Sequence, residues 1–463
     1  MSAEKSKNIE MITGDPKKAI VKLAIPMMIS MLLIMLYNLA DSIWVAGLGA
    51  DALAAIGFIT PLFMVLVGLG NGIGAGANSL IARNIGAKNY SQANNAGLHA
   101  IVLSIIVSII FTILIEGFMV QILEFMGAGS TIGYALDYSY IIFGFLFIFV
   151  FSGVASAIFR SEGDMRRATI AIAVTAIMNI ILDPIFIYVL DLGISGAAWA
   201  TIISASLSCI VMGYWIWVKK DLYLDLSPKN FNYSTQLMLD TLQVAIPSTL
   251  ENIIFSALGI IINNMLVIAA GTTAVAVYTA SMRIVQLSMI PLIGIGTAVL
   301  TVAGVAYGAH NHVNLKTAHI YSIKLGFAIS IILGAIMFVF SQQIATLFSY
   351  TQASAGLSPQ IATAISVLSL FVLAIPHGMM SSMMFQGVGK GVYSLLITLL
   401  RSLILESVFA YLFCFIFGWG LTGIYAGVVF GCFVGGTIGF LWAHFFTYKF
   451  KQISIRKYAP KTD

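Results

Sequence analysis

Leu23-Ala24-Ile25-Pro26-Met27-Met28-Ile29-Ser30-Met31-Leu32-Leu33-Ile34-Met35-Leu36-Tyr37-Asn38-Leu39-Ala40-Asp41 follows Lys22 and carries no charge until its last residue. A helix needs about 20 mainly apolar residues to cross the hydrocarbon core of a bilayer, so this stretch predicts a membrane span. The polar, basic residues 1–18 precede it, and the apolar segment continues to about Val45. That is too long for a signal-peptide core and lacks a small-residue cleavage site, so the segment is expected to stay as the first span. Its terminal carboxylate is out of place. An ionised side chain inside a bilayer costs at least roughly 2.5–3.5 kcal/mol and usually faces a polar cavity.

Working outward, the same pattern recurs along all 463 residues. Sixty per cent of the chain is hydrophobic and 9% is charged, with a mean hydropathy of +0.99, against about 25% charged residues in a soluble domain. Twelve spans are predicted, at roughly 20–46, 52–82, 94–117, 133–160, 167–190, 195–218, 240–269, 274–305, 316–347, 359–388, 393–417 and 421–449. No soluble domain fits between them. None of the 23 Lys and Arg falls in 47–51, 118–132, 191–194, 270–273, 348–358 or 418–420. The intervening loops and both termini take nearly all of them. The positive-inside rule then places both termini in the cytoplasm of a multi-pass cell-membrane protein. The net charge of +5 reflects this orientation and implies no nucleic-acid partner. Cys209, Cys414 and Cys432 lie inside apolar stretches at no metal-ligand spacing, so neither a disulfide framework nor a zinc site is expected.

The chain repeats itself. Leu23-Ala24-Ile25-Pro26 returns as Val244-Ala245-Ile246-Pro247, and Asn84-Ile85-Gly86-Ala87-Lys88-Asn89 as Ala306-Tyr307-Gly308-Ala309-His310-Asn311. Leu192-Gly193-Ile194-Ser195-Gly196 returns as Trp419-Gly420-Leu421-Thr422-Gly423. The expected fold is therefore an all-α polytopic membrane protein of two pseudo-twofold-related six-helix lobes. They run over 1–218 and 240–463, joined by a cytoplasmic linker at 219–239. Parallel repeats of this kind build the facing lobes of many secondary transporters.

Depth gathers the polar residues of the first lobe. At about 1.5 Å per residue, Asp41 and Asp183 lie roughly 8 and 10 Å inside the outer ends of spans one and five. Asn179 is one turn from Asp183 on the same face, Thr201 lies at a similar depth in span six, and Tyr138 reaches the layer from span four. Pro184 removes the hydrogen-bond donor of the carbonyl four residues back, that of Ile180. Such an oxygen-rich set suits a small hard cation. It equally suits a shared proton, because two close carboxylates resist double ionisation. Asn179 and Thr201 alone would read as hydrogen-bonding glue between helices. The second half lacks the acid pair, since Ile262 and Ala410 stand at the matching positions. Its intramembrane charges are Glu251, Arg283, Arg401 and Glu406. Glu251 and Arg283 read either as a structural pair between neighbouring spans or as a substrate site, and Arg401 and Glu406, five residues apart, are poorly phased for a direct pair. Met31 and Met35, with Tyr37, Asn38 and Glu251, are candidates for a substrate pocket.

Two weaker signals resolve differently. Gly68, Gly70, Gly72, Gly74 and Gly76 mimic a dinucleotide loop, but inside a membrane span with no strand before them they read as close helix packing. Gln386-Gly387-Val388-Gly389-Lys390-Gly391 lacks the upstream Gly and the following Ser or Thr of a phosphate loop. Without a nucleotide site, the energy source would be an ion gradient or the substrate's own.

Several runs together carry a family resemblance: Ala24-Ile25-Pro26, Asn38-Leu39-Ala40-Asp41-Ser42-Ile43-Trp44-Val45-Ala46, Ile81-Ala82-Arg83-Asn84-Ile85-Gly86-Ala87 and Phe159-Arg160-Ser161-Glu162-Gly163-Asp164. Asn179 to Pro184 and Gly193 to Thr201 complete the set. Over essentially its whole length the chain resembles the multidrug and toxic compound extrusion transporters, most closely their DNA-damage-inducible branch. The resemblance implies a V-shaped pair of lobes and export of amphipathic organic cations in exchange for inward sodium ions or protons. It also implies a first-lobe ion site at Asp41, Asn179, Asp183, Thr201 and Tyr138. Sodium, if it is the coupling ion, would be held by Asp41, Asn179, Asp183 and Thr201. The protein is expected to be a monomer in the bilayer, without enzymatic activity or an organic cofactor. The alternative within the superfamily is a lipid-linked oligosaccharide flippase or polysaccharide exporter. From another class, an intramembrane enzyme would need a nucleophile–base or metal-ligand set at one depth, and the six scattered His do not supply one.

Overall fold

The computed structural model describes residues 3–348 and 355–458, and among these every regular element is helical. Among the described residues, eleven helices are long and apolar enough to cross a membrane, and a bent pair makes the twelfth if it is one span. We number them α1 (Pro16–Ala46), α2 (Asp51–Gly86), α3 (Tyr90–Gly117), α4 (Gly129–Gly144 with Leu146–Ser161), α5 (Met165–Val189) and α6 (Gly193–Lys219). The second set is α7 (Thr235–Ala270), α8 (Thr272–Gly308), α9 (His312–Val339), α10 (Ser358–Gly387), α11 (Gly391–Ile416) and α12 (Gly420–Ile453). The shortest has 25 residues, more than the hydrocarbon core demands. Short helices at Ala3–Thr13, Met119–Phe125 and Ser341–Phe348 were not foreseen from the sequence.

The chain forms two compact units, one of Met1–Gly14 with Ile25–Thr249, the other of Asp15–Ala24 with Leu250–Asp463. The divisions fall inside α1 and α7, close to Pro26 and Pro247, and not in 219–239. In unit 1, Pro26 O accepts from both Thr169 Oγ1 (3.0 Å) and Ser30 Oγ (3.0 Å), which ties α1 to α5 just past the division. Thr249 Oγ1 bonds to Gly68 O at 3.1 Å and ties α7 to α2.

The duplication extends to backbone detail. Gly49 and Gly271 precede the first turns of α2 and α8 with φ of 109° and 77°, values open mainly to glycine. Asn89 and Asn311 both cap the following helix, accepting from Gln92 N (3.3 Å) and Asn314 N (3.0 Å). Each half also ends its next-to-last span in a π-turn, Ile185–Val189 and Leu412–Ile416. After each turn the chain closes with matching bonds, Leu192 N to Phe186 O (3.2 Å) and Trp419 N to Phe413 O (3.0 Å).

The glycine run of α2 is a packing device, as its sequence context predicts. Residues two apart on a helix point to nearly opposite faces, and residues four apart share one. A Cβ on Gly74 would sit 3.1 Å from Ala157 Cβ and from Gly153 O of α4. On the opposite face, a Cβ on Gly72 would sit 2.7 Å from Ala245 O of α7, and Gly76 abuts Thr241. The run is thus two interleaved small-residue stripes. In unit 2, α12 uses one stripe of period four against α11. A Cβ on Gly423 would lie 2.7 Å from the Phe413 carbonyl, and on Gly431 or Gly435 2.5 Å from the Cα of Glu406 or Arg401.

One expected span is not a single straight helix. The fourth, read as continuous over 133–160, breaks at Phe145 with a 48° bend. No proline lies there. Thr112 of α3 donates to Phe143 O at 3.0 Å, so a side chain from a neighbouring helix occupies the broken ladder.

Residues 219–239 are pinned to unit 1. Glu162, just past α4, accepts Tyr223 N (3.1 Å) and Leu224 N (2.9 Å) on its two oxygens. Arg167 binds Asp221 at 2.6 Å, and Asn95 exchanges two bonds with the backbone of Asn232 (2.6 and 3.1 Å). Glu162 is buried, and that burial pushes its carboxyl from 4.5 up to about 8, against the lowering effect of the two backbone N–H groups. The folded chain therefore retains a proton that the unfolded chain releases between these values. The stability this contributes is complete below about pH 4.5 and is lost as pH rises through about 8. The melting temperature of wild type should fall across this window, and Glu162→Gln should flatten that slope. Identical pH profiles for the two proteins would remove Glu162 from the account.

Candidate functional site

Four helices of unit 1 build one polar layer. Asn179 and Asp183 are four residues apart on α5 and so share a face. Both are buried, Asp183 completely. Asn179 Nδ2 donates to Asp183 Oδ1 at 3.1 Å and to Thr201 Oγ1 of α6 at 3.3 Å. Thr201 in turn donates to Ala197 O at 3.0 Å. Tyr138 of α4, also buried, lies close to Thr201 and within electrostatic reach of Asp41, Asp183 and Tyr37. Asp41 acts on Asp183 in the same way. All five residues predicted for the ion layer are therefore neighbours, and Tyr37 of α1 joins them.

The hydrogen bonding is incomplete in a specific way. Asp41 Oδ1, Asp183 Oδ2 and Asn179 Oδ1 are buried and have no donor among the described residues. Leaving such an atom unsatisfied costs about 1–3 kcal/mol. Because Asn179 spends its amide N–H groups on Asp183 and Thr201, its own oxygen is left as an acceptor. Three acceptors, two of them from carboxylates, can take a proton or a small hard cation. The donor set therefore fits sodium as well as hydrogen.

The substrate-pocket candidates do not form one group. Met31 and Tyr37 are half-buried, while Met35 and Asn38 are exposed on α1. Glu251 belongs to unit 2, in a separate buried network. Its Oε1 accepts from Ser394 Oγ (2.6 Å), and Gln386 Nε2 approaches both oxygens at 3.3 Å. Gln386 came from a stretch set aside as a failed phosphate loop; nothing local marks it as the partner of a glutamate far away in sequence. Arg401 lies within electrostatic reach of both Glu251 and Glu406. The π-helical pitch of Leu399–Glu406 accounts for how residues five apart come to share a neighbourhood. No ion pair joins Glu251 to Arg283 among the described residues, which removes the structural-pair reading of those two. The three cysteines are free.

The MatE family profile matches residues 26–185 and 247–412, one segment in each repeat. The chain is 27% identical over 413 residues to the multidrug export protein MepA of Staphylococcus saprophyticus, covering 88% of this chain and 89% of that one. It is 26% identical over 369 residues to a FAD transporter of Shewanella oneidensis, covering 78% of each. Among solved structures, that of a MATE in complex with MaL6 superposes with a TM-score of 0.94 at 39% identity, over 96% of this chain and 99% of that one. The chain belongs to the MatE family, and it is a multi-pass membrane transporter, not an enzyme.

Proposed function

We propose that the protein is a secondary active antiporter that exports amphipathic organic cations in exchange for inward protons or sodium ions. The observation that carries this reading is the trio of buried, donorless oxygens on Asp41, Asn179 and Asp183. In the outward-open state this layer takes the coupling ion. Neutralising the carboxylates changes the packing of α1 and α5, whose link at Pro26 O, Ser30 and Thr169 lies on the same two helices. Substrate then leaves, the protein turns inward, and loss of the ion restores an acidic layer able to hold the next cation. The half-buried Met31 and Tyr37 would line the path of an apolar, cationic substrate. The basic loops orient both termini to the cytoplasm, and the multidrug export name carried by MepA supports the substrate class.

The test is uptake of a fluorescent organic cation into inside-out proteoliposomes under separately imposed sodium and proton gradients. Uptake driven by one gradient identifies the coupling ion. Uptake indifferent to both would reject antiport. A flippase or exporter of anionic, lipid-linked sugars is the second reading, and it has one observation in its favour: an arginine in a largely apolar groove of unit 2.

A further inference from the structure

Arg283, itself exposed, stands in an open groove of about 650 Å3 lined by α7 and α8, both within unit 2. The two helices are separated by the single residue Gly271, and the groove lies along the hairpin they form. From α8, Thr272, Ala276, Thr279, Ala280 and Arg283 line it, a set spaced as one helical face. Alanines at two of these positions leave the empty space. From α7, Asn263 and Asn264 face it. Arg283 lies 11 residues into α8, roughly 16 Å along its axis, well within the span.

Its chemistry is one-sided. The polar lining comprises a guanidinium, two carboxamides and two hydroxyls, and no carboxylate. Arg283 makes no hydrogen bond or ion pair among the described residues. A charge inside a span normally pairs or serves a ligand, and the guanidinium fork matches carboxylate or phosphate oxygens two at a time. The apolar remainder of the lining, including Val267 and Val275, suits a hydrocarbon body. The fold does not require the cation, since Pro61 stands at the matching position of the first repeat.

We propose that this groove is an anion-accepting subsite, in which Arg283, assisted by Asn263, Asn264 and Thr279, binds the carboxylate or phosphate of an amphipathic molecule. The subsite does not depend on which ion drives transport. A soluble amphiphile and an anionic lipid headgroup offer the same chemistry, and two measurements on the purified full-length protein separate them. The first is calorimetric titration with decyl phosphate below its micellar concentration, beside decyltrimethylammonium as the cationic control. Wild type should bind decyl phosphate about tenfold or more tightly than Arg283→Gln, the loss expected for charge-assisted bonds. Arg283→Lys, which keeps the charge without the fork, should fall between them, and the cationic control should not respond. The second is native mass spectrometry of protein taken from mixed phosphatidylcholine–phosphatidylglycerol membranes. Phosphatidylglycerol retention that drops in Arg283→Gln makes the lipid headgroup the ligand. Unchanged retention with weakened decyl phosphate binding makes it a soluble anion. If both ligands bind all three proteins alike, the proposal is overturned.

Discussion

Asp183→Asn is expected to reduce gradient-driven uptake of an organic cation to nearly the level of protein-free liposomes while leaving the thermal midpoint close to wild type. The replacement is isosteric. Its new Oδ1 can still accept from Asn179 Nδ2, which bonds Asp183 Oδ1 at 3.1 Å in the native protein. What changes is the second position. Asp183 Oδ2, buried without a donor, becomes an amide N–H2 that offers protons and neither accepts one nor ligates a cation. A tenfold gradient of the coupling ion supplies about 1.36 kcal/mol per ion, which corresponds to a roughly tenfold accumulation at one-for-one exchange. A loss of that order is expected, and Asp41→Asn should behave alike. Full gradient-driven uptake in either variant would reduce the acidic layer to a structural role.

Arg401→Met should produce the largest loss of stability. Arg401 is buried at 8% exposure and bears on two buried carboxylates, Glu251 and Glu406. Its Nη1 has no hydrogen-bond partner among the described residues, so its value lies in charge compensation. Gly435 and Gly378 leave room for the side chain: a Cβ on Gly435 would lie 2.5 Å from Arg401 Cα, and one on Gly378 3.2 Å from its Nη1. Methionine fills similar volume and removes the cation that bears on both buried acids. The thermal midpoint should therefore drop sharply. The double variant Arg401→Met with Glu406→Gln should recover part of the loss, because one of those acids is gone. Equal midpoints for the single variant and wild type would show that the arginine compensates neither acid.

Much of the fold could be read along the chain because membrane spans declare themselves locally. Apolar length, the segregation of Lys and Arg, and the recurring Ile-Pro and Gly-containing turns are all properties of short stretches. The acidic layer was legible for a related reason: Asp41 and Asp183 violate their surroundings, and helical rise places them at one depth. What escaped was set by distant partners. The break in α4 depends on Thr112 of another helix, and the partners of Glu251 come from α10 and α11. The nearness of Arg401 to Glu406 rests on a π-helical pitch that five intervening residues do not announce. The groove beside Arg283 is a matter of what alanines leave empty, and small residues read the same whether they admit a helix or a ligand.

The placement of Asp15–Ala24 in unit 2 and of the first turns of α7 in unit 1 has a consequence for biosynthesis. A ribosome delivers Asp15–Ala24 among the first residues, yet the unit that receives them emerges only after the whole of unit 1 has been made. The opening turns of α1 must therefore wait without their final neighbours, while the body of α1 joins unit 1. Cutting the gene between the repeats should accordingly yield two pieces that mature only when co-produced. The order of translation thereby holds back completion of the second unit's packing until the entire chain is present.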